Sequence, residues 1–509
     1  MINRRAFLLG AAGSCAFAAG EPVPEFRTAN TKWQAAYDRA LAILAANVQV
    51  LPRYNKPVLI EGANYAGIWM ECGPHESLVY RKFRPDVARN SHFTFFALQR
   101  PDGQFPANNK VSETGFGQIQ MVVPIAATAW ELARSTGDHE LLDTAYRAGA
   151  AWDNWLMRNR NTRGTGLIEG FCTYDTGHDN SPRWNGIPPQ CPDKDAKRHA
   201  AIPTLPRLCP DLSATTYGAR IALTAMARAL GRNKECDRWA ESADQIRRLI
   251  LSRLYVEKDA AFYDLDAQNH FVTIRCDILS RICGEHIPDP ALFDQLWRVQ
   301  IHNPAAFWAE WPLPSVALDD PAFVRAIPGN SWGGASQALT ALRASRWFEH
   351  YRHPAEFAFL MDRWCEAIQR DMTFRQQLDP LTGVFTREGP PNYSPTALLM
   401  LDYTWRLAGV REEGDSLEWN VRFGHPAARS AFFRSGSAEL RYDRRGAELR
   451  LAGKSLGRID LGVARIVTDK RGMPKELVGI SEQPQKVAIR LSKRPHREVE
   501  LQPNARIAL

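Results

Sequence analysis

The chain has 509 residues, of which 45% are hydrophobic and 24% charged, so it is long enough to bury a large core. We predict one large domain followed by a smaller one. The net charge of +8 comes from acidic and basic residues that are interleaved along the chain, a pattern that does not indicate nucleic-acid binding and stays compatible with an anionic sugar.

The amino terminus has the pattern of an export signal. Arg4 and Arg5 precede a short apolar run, and Ala16 and Ala18 supply the small residues for cleavage. We predict that residues 1–20 are a twin-arginine signal peptide, and that the mature protein is periplasmic or secreted, without a membrane-spanning segment. A lipoprotein anchored at Cys15 is the alternative, although Ala12 stands where such signals have a larger aliphatic residue.

Between residues 30 and 409, apolar residues recur at helical spacing in about a dozen segments. Clear examples are Leu141–Met157, Ser213–Leu230, Lys234–Leu254, Ser331–Tyr351, Pro354–Asp371 and Pro395–Leu407. The sequence shows no βαβ alternation and no fixed repeat period, which argues against a solenoid. The pattern predicts a mainly α fold in which paired helices close into an α/α toroid.

The stretch Phe171–Gly186, with the sequence FCTYDTGHDNSPRWNG, is where we expect the chemistry. Glycine and proline residues interrupt it, so an ordered loop is predicted rather than a helix. It combines a carboxylic acid, Asp179, with aromatic rings and an arginine, as glycoside cleavage requires. The alternative is a turn capped by Asp175 and Asn180 that has no chemical role.

Within this stretch, T-G-H-D-N-S-P-R-W resembles the G-x-D-N-S-P-R-W signature of a group of inverting α-glycosidases. The group contains α,α-trehalases, processing α-glucosidases, and mannosylglycerate and glucosylglycerate hydrolases. The resemblance implies an (α/α)6 barrel whose loops at one end form the sugar pocket, and it implies that Asp179 is the general acid. The neighbouring residues of the motif are then expected to bind substrate: His178, Asn180, Arg183 and Trp184.

Other loops offer further candidates through the same resemblance. Trp69-Met70-Glu71-Cys72 stands where the group has W-x-W-D, so Trp69 and Glu71 are expected to bind the sugar, with a structural role as the alternative for Glu71. Gln120 lies in a segment that matches the group's glutamine-containing entry to a pocket-facing hairpin, so the resemblance implies that it binds a hydroxyl of the substrate, with a solvated or helix-capping glutamine as the alternative. Glu310 and Trp332 belong to loops expected at the pocket rim, where a tryptophan either stacks on a sugar or fills the core.

The residue that activates water is the weak point of the resemblance. Phe374–Gly383 aligns with the group's E-x-Y-(N/D)-P-x-T-G, whose first glutamate is the base, but this chain has Gln376 there. A neutral amide cannot accept the proton of water, so Gln376 is expected to bind substrate. We predict Glu388 as the replacement base, with a solvated loop carboxylate as the alternative. Three other carboxylates compete for this role: Asp379, Glu310 and Glu71.

After Gly409 the sequence alternates polar with apolar residues. Examples are Ser416–Val421, Ala438–Tyr442, Ala447–Leu451 and Lys486–Leu491. Alternation of period two is typical of strands with one buried face. We predict a small antiparallel β domain over residues 416–509 that serves as a packing or accessory module.

The nine cysteines show no C-x-x-C spacing, which argues against a zinc site. We predict no metal and no cofactor, because carboxylate acid–base chemistry needs neither. Cys191 and Cys209 lie in proline-rich loops and are the first pair to test for a disulfide.

Together these patterns predict an exported inverting glycoside hydrolase whose partner is a carbohydrate. Two alternatives stay open. A polysaccharide lyase acting on a uronate-containing glycan would use His178, Asn180, Arg183 and Tyr393, because α/α toroids followed by β domains also serve that chemistry. A sugar-binding protein without activity would account for Gln376. In the hydrolase, Tyr393 is expected to bind substrate.

Overall fold

The computed structural model describes residues 23–325, 330–386, 389–492 and 494–509, so the predicted signal peptide and Glu388 lie outside the described residues. Within these ranges there are twelve α-helices, in agreement with the dozen helical segments predicted. They are α1 (Thr31–Ala46), α2 (Gly73–Tyr80), α3 (Pro85–Ala97), α4 (Ile125–Thr136), α5 (His139–Asn159), α6 (Pro210–Ala229), α7 (Asn233–Arg253), α8 (Ile278–Gly284), α9 (Pro290–Leu296), α10 (Ala338–Phe348), α11 (Pro354–Asp371) and α12 (Ser394–Ala408). Among the described helices, none is long and apolar enough to span a bilayer.

Local sequence signals set the ends of these helices. Asn30 accepts a hydrogen bond from Trp33 N at the start of α1, and Asp138 accepts one from Leu141 N at the start of α5. Gly137 ends α4 in the left-handed conformation, with φ of 68°. Proline occupies the first turn of α2, α3, α6, α9, α11 and α12, where its missing N–H removes no intrahelical bond.

The even-numbered helices form a closed ring. Helix α2 contacts α4, α4 contacts α6, α6 contacts α8, α8 contacts α10, α10 contacts α12, and α12 contacts α2. Helices α3, α5, α7 and α11 pack outside their ring neighbours α2, α4, α6 and α12, and α1 also packs on α12. Of the fifteen residues of α12, thirteen are buried, because this helix has neighbours both inside and outside the ring.

The short strands before α12 lie mostly in the connections between helices. They are β1 (Glu25–Arg27), β2 (Val48–Val50), β3 (Pro57–Leu59), β4 (Gly67–Trp69), β5 (Asn108–Lys110), β6 (Thr114–Gly115), β7 (Glu169–Gly170), β8 (Arg207–Leu208), β9 (Tyr255–Val256), β10 (Ala261–Phe262), β11 (Asp264–Leu265), β12 (Phe271–Val272), β13 (Ser336–Gln337) and β14 (Gln377–Leu378). Strands β4, β5 and β6 form one sheet, β7, β8, β11 and β12 another, and β13 pairs with β14.

The loops that carry the predicted site residues all lead into ring helices. Trp69 and Glu71 precede α2, Gln120 precedes α4, and the loop of Asp179 precedes α6. The connections before α10 and α12 carry the remaining candidates, and β13 and β14 tie these two connections together. Because alternate helices of an up-and-down ring run in the same direction, these loops meet at one end of the ring, at the amino termini of its helices.

The helix predicted over Ser331–Tyr351 is seven residues shorter at its start than expected, since α10 begins at Ala338. The preceding residues Ser336–Gln337 are extended and pair with Gln377–Leu378. Gly333 and Gly334 lie just before this strand, and glycine favours such irregular backbone over a helix. The early start predicted from apolar spacing was therefore wrong.

The strands after α12 form two antiparallel sheets. They are β15 (Val410–Glu413), β16 (Ser416–Arg422), β17 (Phe432–Ser435), β18 (Ala438–Asp443), β19 (Gly446–Leu451), β20 (Lys454–Leu461), β21 (Val463–Asp469), β22 (Pro474–Val478), β23 (Gln485–Leu491), β24 (Arg497–Leu501) and β25 (Arg506–Ala508). One sheet has the order β1-β17-β18-β19-β20-β23-β24, and the other has the order β15-β16-β21-β22-β25. The first strand starts at Val410, six residues before the predicted boundary.

The strand β1 joins the carboxy-terminal sheet, which the sequence did not indicate. Phe26 pairs with Phe433 in register, and the two rings lie 4.7 Å apart. Phe26 also lies 4.7 Å from the ring of Tyr37 on α1, so it fills the space between the sheet and the helices. At the end of α10, Glu349 accepts two hydrogen bonds of 2.8 Å from Arg465 on β21. Helices and sheets therefore share one continuous core.

Candidate active site

The stretch Phe171–Gly186 is an ordered loop, as predicted, with single helical turns at Thr173–Asp175 and Pro182–Trp184. Asp175 holds the loop in place through hydrogen bonds. Its buried carboxylate pairs with Arg160 and accepts hydrogen bonds from the backbone N–H groups of Ile119 and Phe171, at 2.9 and 2.7 Å. A carboxylate that is this fully bonded is structural, and it holds the loop in one conformation.

Asp179 lies near the tip of this loop. Asn330 Nδ2 donates to Asp179 Oδ2 at 2.7 Å, and Trp332 N donates to the backbone oxygen of Asp179 at 2.9 Å. Burial, and next the negative charge of Glu71, raise the pKa of Asp179 to about 8, while the hydrogen bond from Asn330 lowers it. The carboxyl is therefore protonated at neutral pH and can act as a proton donor.

A chain of amides connects Asp179 with the position of the missing base. Gln376 Nε2 donates to Asn330 Oδ1 at 2.7 Å, and Tyr65 OH donates to Gln376 Oε1 at 3.1 Å. One asparagine side chain thus bridges Asp179 and Gln376, which puts the amide about 8 Å or less from the carboxyl. Acid and base in inverting glycosidases stand about 6.5 to 9.5 Å apart, so Gln376 lies where a base would be useful but cannot serve as one.

Three further carboxylates lie buried near one another: Glu61 and Glu71, whose charges act on Asp179, and Glu76, which interacts with Glu71. Burial raises the pKa of each, with Glu76 at about 7 and Glu61 well above the ordinary value. Oxygen atoms of Glu61 and Glu71 and the Cys72 sulfur lie within 4.8 Å of one another. No ion is needed to explain this group if some of its members are protonated, so the absence of a metal stays a prediction.

Glu71 lies directly against the catalytic loop. A Cβ atom added to Gly177 would come within 1.8 Å of Glu71 Oε2, so only glycine fits there. Gln120, which has a left-handed backbone with φ of 43°, hydrogen-bonds Glu71 and accepts a bond of 3.0 Å from Gln118. Glu71 and Gln120 therefore lie together beside the loop of Asp179, as the resemblance implied.

Arg343 on α10 is the cation nearest these carboxylates. It is buried, its Nη2 donates to the backbone oxygen of Glu71 at 3.2 Å, and its charge lowers the pKa of Glu71 and of Glu76. Its Nε and Nη1, like both carboxyl oxygens of Glu76, have no hydrogen-bond partner among the described residues. Buried groups in this state normally bind ordered water, so we expect water between α2 and α10.

Sequence reasoning missed Glu61, Glu76 and Arg343. Tyr393 OH donates to Glu61 Oε1, and Ser394 N donates to the backbone oxygen of Glu61 at 2.9 Å, so Glu61 joins the start of α12 to the site. The sequence feature that could have identified Glu61 is its position directly after the apolar residues Val58–Ile60, which are buried in the structure. For Glu76 and Arg343, helical spacing showed a buried face but not which polar groups would meet there.

His178, Arg183 and Trp184, which were predicted to bind substrate, are buried and bonded within the protein. The guanidinium of Arg183 donates all five of its N–H groups to three described side chains, those of Asp211, Asp264 and His178. Burial lowers the pKa of His178 to about 3, so its ring is neutral, and Trp184 Nε1 donates to Thr176 Oγ1 at 2.9 Å. Internal partners thus occupy the polar groups of these three residues, which supports a role in holding the loop, and their binding of substrate stays a prediction.

Two other rim candidates are also placed differently from the prediction. Trp332 is 2% exposed, with the His178 ring 5.0 Å away and the Arg281 guanidinium 5.3 Å away, so its faces are covered. Glu310 is exposed and pairs with Arg363 at 2.8 Å, apart from the buried carboxylates. Trp332 therefore packs the loop, and Glu310 is not a member of the site.

Trp69 and Asn180 remain candidate sugar ligands. Trp69 is half-buried, with its ring 5.5 Å from that of Tyr65 and nearly perpendicular to it. Asn180 is exposed, and its Nδ2 donates to the backbone oxygen of Asn330 at 2.6 Å. Tyr65, which the sequence did not single out, joins them because it contacts Trp69, Tyr393 and Gln376.

Cys191 and Cys209, the first pair to test for a disulfide, are not bridged in this structure. All eight cysteines of the described residues are free thiols, and all are buried. Cys191 instead contacts Cys172 and Phe171, whereas Cys209 lies beside Gly170. A proline-rich sequence around a cysteine indicates a loop, but it does not indicate which other loop lies beside it in the fold.

Comparison with known proteins agrees with this geometry. Residues 65–405 match the family described as the mannosylglycerate hydrolase MGH1-like glycoside hydrolase domain. A similar solved structure is the GH63 mannosylglycerate hydrolase from Thermus thermophilus in complex with Tris, with a TM-score of 0.58, 19% identity, and coverage of 72% of this chain and 100% of that chain. No curated protein matches.

Two other solved structures share the fold. Neutral trehalase Nth1 from Saccharomyces cerevisiae has a TM-score of 0.55 at 12% identity, covering 68% of this chain and 74% of that chain. The GH78 family rhamnosidase of Bacillus sp. GL1 has a TM-score of 0.54 at 10% identity, covering 92% of this chain and 40% of that chain. Likeness at these identities supports the fold alone.

Proposed function

We propose, from the premise that this chain belongs to the mannosylglycerate hydrolase MGH1-like glycoside hydrolase family, that it cleaves a short α-glycoside with inversion at the anomeric carbon. The predicted family is thereby confirmed, and the chain is a glycoside hydrolase. The closed contacts of the six even-numbered helices support an (α/α)6 toroid, and the two sheets after α12 support the small β domain.

The observation that carries the proposal is the state of Asp179. Its carboxyl is half-buried, has a pKa raised to about 8, and lies on a loop that Asp175 and Arg160 hold rigid. A protonated acid at this position would protonate the leaving oxygen as the glycosidic bond breaks. His178 is a weak base, because burial lowers its pKa to about 3, and both of its ring nitrogens already contact Asp277 and Arg183. It is therefore poorly suited to abstract a proton from a uronate, and the geometry favours the hydrolase over the lyase.

The test is a substrate panel with assignment of the product anomer. We would incubate the purified protein with α-mannosylglycerate, α-glucosylglycerate, trehalose and aryl α-glycosides, and follow the reducing sugar by proton NMR from the first minutes. The β-anomer should appear first from an α-glycoside. Initial release of the α-anomer would contradict inversion, and unsaturated ends from a uronate polymer would favour the lyase.

For the base we propose Glu388, supported by the described residues on either side of it. Thr386 N donates to Gln377 O at 3.1 Å, and Asn392 N donates to Thr373 O at 3.0 Å. The described residues before and after position 388 are therefore both bonded to the segment that contains Gln376. A carboxylate at this point in the sequence is well suited to replace the catalytic glutamate that the resembling glycosidases have at the position of Gln376.

Azide rescue tests this assignment. Glu388→Ala should lose hydrolysis, and added azide should restore turnover and give a glycosyl azide of inverted configuration, because azide needs no base. Glu310→Ala is the matched control, since the exposed Glu310 pairs with Arg363, and it should keep wild-type rates. If Glu388→Ala stays active, the base moves to Glu71, whose variant should then respond to azide instead.

We also propose export through the twin-arginine pathway, supported by Arg4, Arg5 and the apolar run that follows them. A fusion of residues 1–30 to a reporter that folds in the cytoplasm should reach the periplasm. Arg4→Lys together with Arg5→Lys should retain the reporter in the cytoplasm. Export that is insensitive to this pair of changes would rule out the twin-arginine route.

A further inference from the structure

Two buried thiols lie side by side at the base of the loop that carries Asp179. Cys172 stands at the start of this loop, and Cys191 follows its end. Their sulfur atoms and a carboxylate oxygen of Asp175 all lie within 4.8 Å of one another. The backbone holds the two strands of chain together, since Thr173 N donates to Pro188 O and Tyr174 N donates to Pro189 O, each at 3.0 Å.

This group is not arranged as a metal site. The Asp175 carboxylate already accepts hydrogen bonds from Arg160 and from the backbone N–H groups of Ile119 and Phe171. Arg160 Nη2 also contacts Cys191 Sγ at 3.7 Å, so a guanidinium occupies the side from which a cation would approach. The guanidinium therefore lies directly against the Cys191 sulfur.

We propose that Cys172 and Cys191 form a disulfide that closes the two ends of the Asp179 loop into a covalent ring. The oxidant would be a small or protein disulfide. The Cys191 thiolate attacks one sulfur of that disulfide and expels the other as a thiolate, and the Cys172 sulfur then loses its proton and displaces the second half. Two protein thiols are oxidised by two electrons, and the disulfide oxidant is reduced to two thiols.

The two sulfur atoms are already close, so a bridge needs only a short approach. Sulfur atoms within 4.8 Å must approach to about 2 Å, while the backbone pairing keeps the two segments where they are. The ring would restrict the unfolded chain around the loop and so resist its local opening. The inference concerns this pair of thiols and does not depend on which sugar the protein cleaves.

Tryptic peptides can distinguish this bridge from any other. Cleavage after Arg163, Arg183 and Lys194 gives peptide 164–183, with Cys172 alone, and peptide 184–194, with Cys191 alone. Cys209 falls in peptide 208–220. The full chain would be refolded from denaturant with glutathione and glutathione disulfide, alkylated without reduction, and digested. We expect peptides 164–183 and 184–194 to appear as one linked species that separates on reduction.

The second measurement is thermal stability with and without reductant. Reduction should lower Tm by about 2 °C or more in the wild type, and it should leave Tm unchanged in Cys172→Ser with Cys191→Ser. Cys236→Ser, which removes a buried thiol on α7, is the matched control and should keep the response to reductant. Free Cys172 and Cys191 after oxidative refolding, or linkage of either to Cys209, would overturn the proposal.

Discussion

At the scale of single residues, Asp179→Asn tests the general acid. The amide keeps the shape of the side chain but cannot donate a proton in the acid's manner, so kcat should fall by about a thousandfold or more. A substrate with a good leaving group should lose much less, because its leaving oxygen needs little protonation. Circular dichroism of the variant should match the wild type. A wild-type rate on an unactivated substrate would remove Asp179 from the mechanism.

The pKa of Asp179 also sets the pH dependence. The acid must be protonated, so kcat/KM should fall as the pH rises through about 8. The hydrogen bond from Asn330 favours the charged carboxylate, so its removal in Asn330→Ala should raise the pKa and move the alkaline limb to higher pH.

The matched control for this shift is Asn180→Ala. Asn180 bonds the backbone oxygen of Asn330 and not the carboxyl, so its loss should leave the alkaline limb at the wild-type pH, whatever happens to the rate. The measurement is a profile of kcat/KM against pH with a substrate that does not titrate. A limb that moves downward in Asn330→Ala would contradict the assigned role of the hydrogen bond.

At the scale of elements, the first turn of α2 carries a buried carboxylate, Glu76. Burial raises the pKa of this carboxyl, and the charge of Arg343 on α10 lowers it only in part. Glu76 has a folded pKa of about 7 against an ordinary 4.5, so the folded state binds more protons than the unfolded state between these values. Stability should therefore fall as the pH rises from about 4.5 to about 7. The contribution of Glu76 to this loss is on the order of 3 kcal/mol.

Glu76→Gln tests this prediction, because the amide has the same shape and no charge to bury. The variant should be more stable than the wild type at pH 8, and this advantage should largely disappear near pH 4.5. Urea unfolding at both pH values gives the difference. Glu241→Gln, at an exposed site on α7, is the matched control and should show no such dependence. An advantage that does not change with pH would indicate a packing effect instead of a charge effect.

At the scale of the whole molecule, β1 connects the helices to the carboxy-terminal sheet. Phe26 is 4% exposed and contacts both Tyr37 and Phe433, so Phe26→Ala should cost about 3–5 kcal/mol. Val23→Ala, at a side chain that is 56% exposed, should cost little. The measurement is urea unfolding followed by circular dichroism. The shared core implies that helices and sheets unfold together in a single transition. Separate transitions for the helices and the sheets would contradict this.

The sequence by itself determined the helical segments, the alternating strands and the loop of Asp179. Helical and strand periodicities are local, and the glycines and prolines of Phe171–Gly186 exclude a helix whatever surrounds them. The motif within that loop also identified the family correctly. These predictions agree with the structure because each depends on residues that are close together in the chain.

Only the tertiary structure decided which polar groups meet. Tyr393 and Glu61 are 332 residues apart in sequence, yet they share a hydrogen bond, and Glu71 packs against Gly177 from a different loop. The same long-range packing buries Arg183 between two aspartates and decides that Trp332, for which the sequence left stacking on a sugar and filling the core open, is covered by His178 and Arg281. Burial and charge pairing depend on neighbours from other loops, so no local pattern could decide whether a side chain binds a sugar or supports the loop that does.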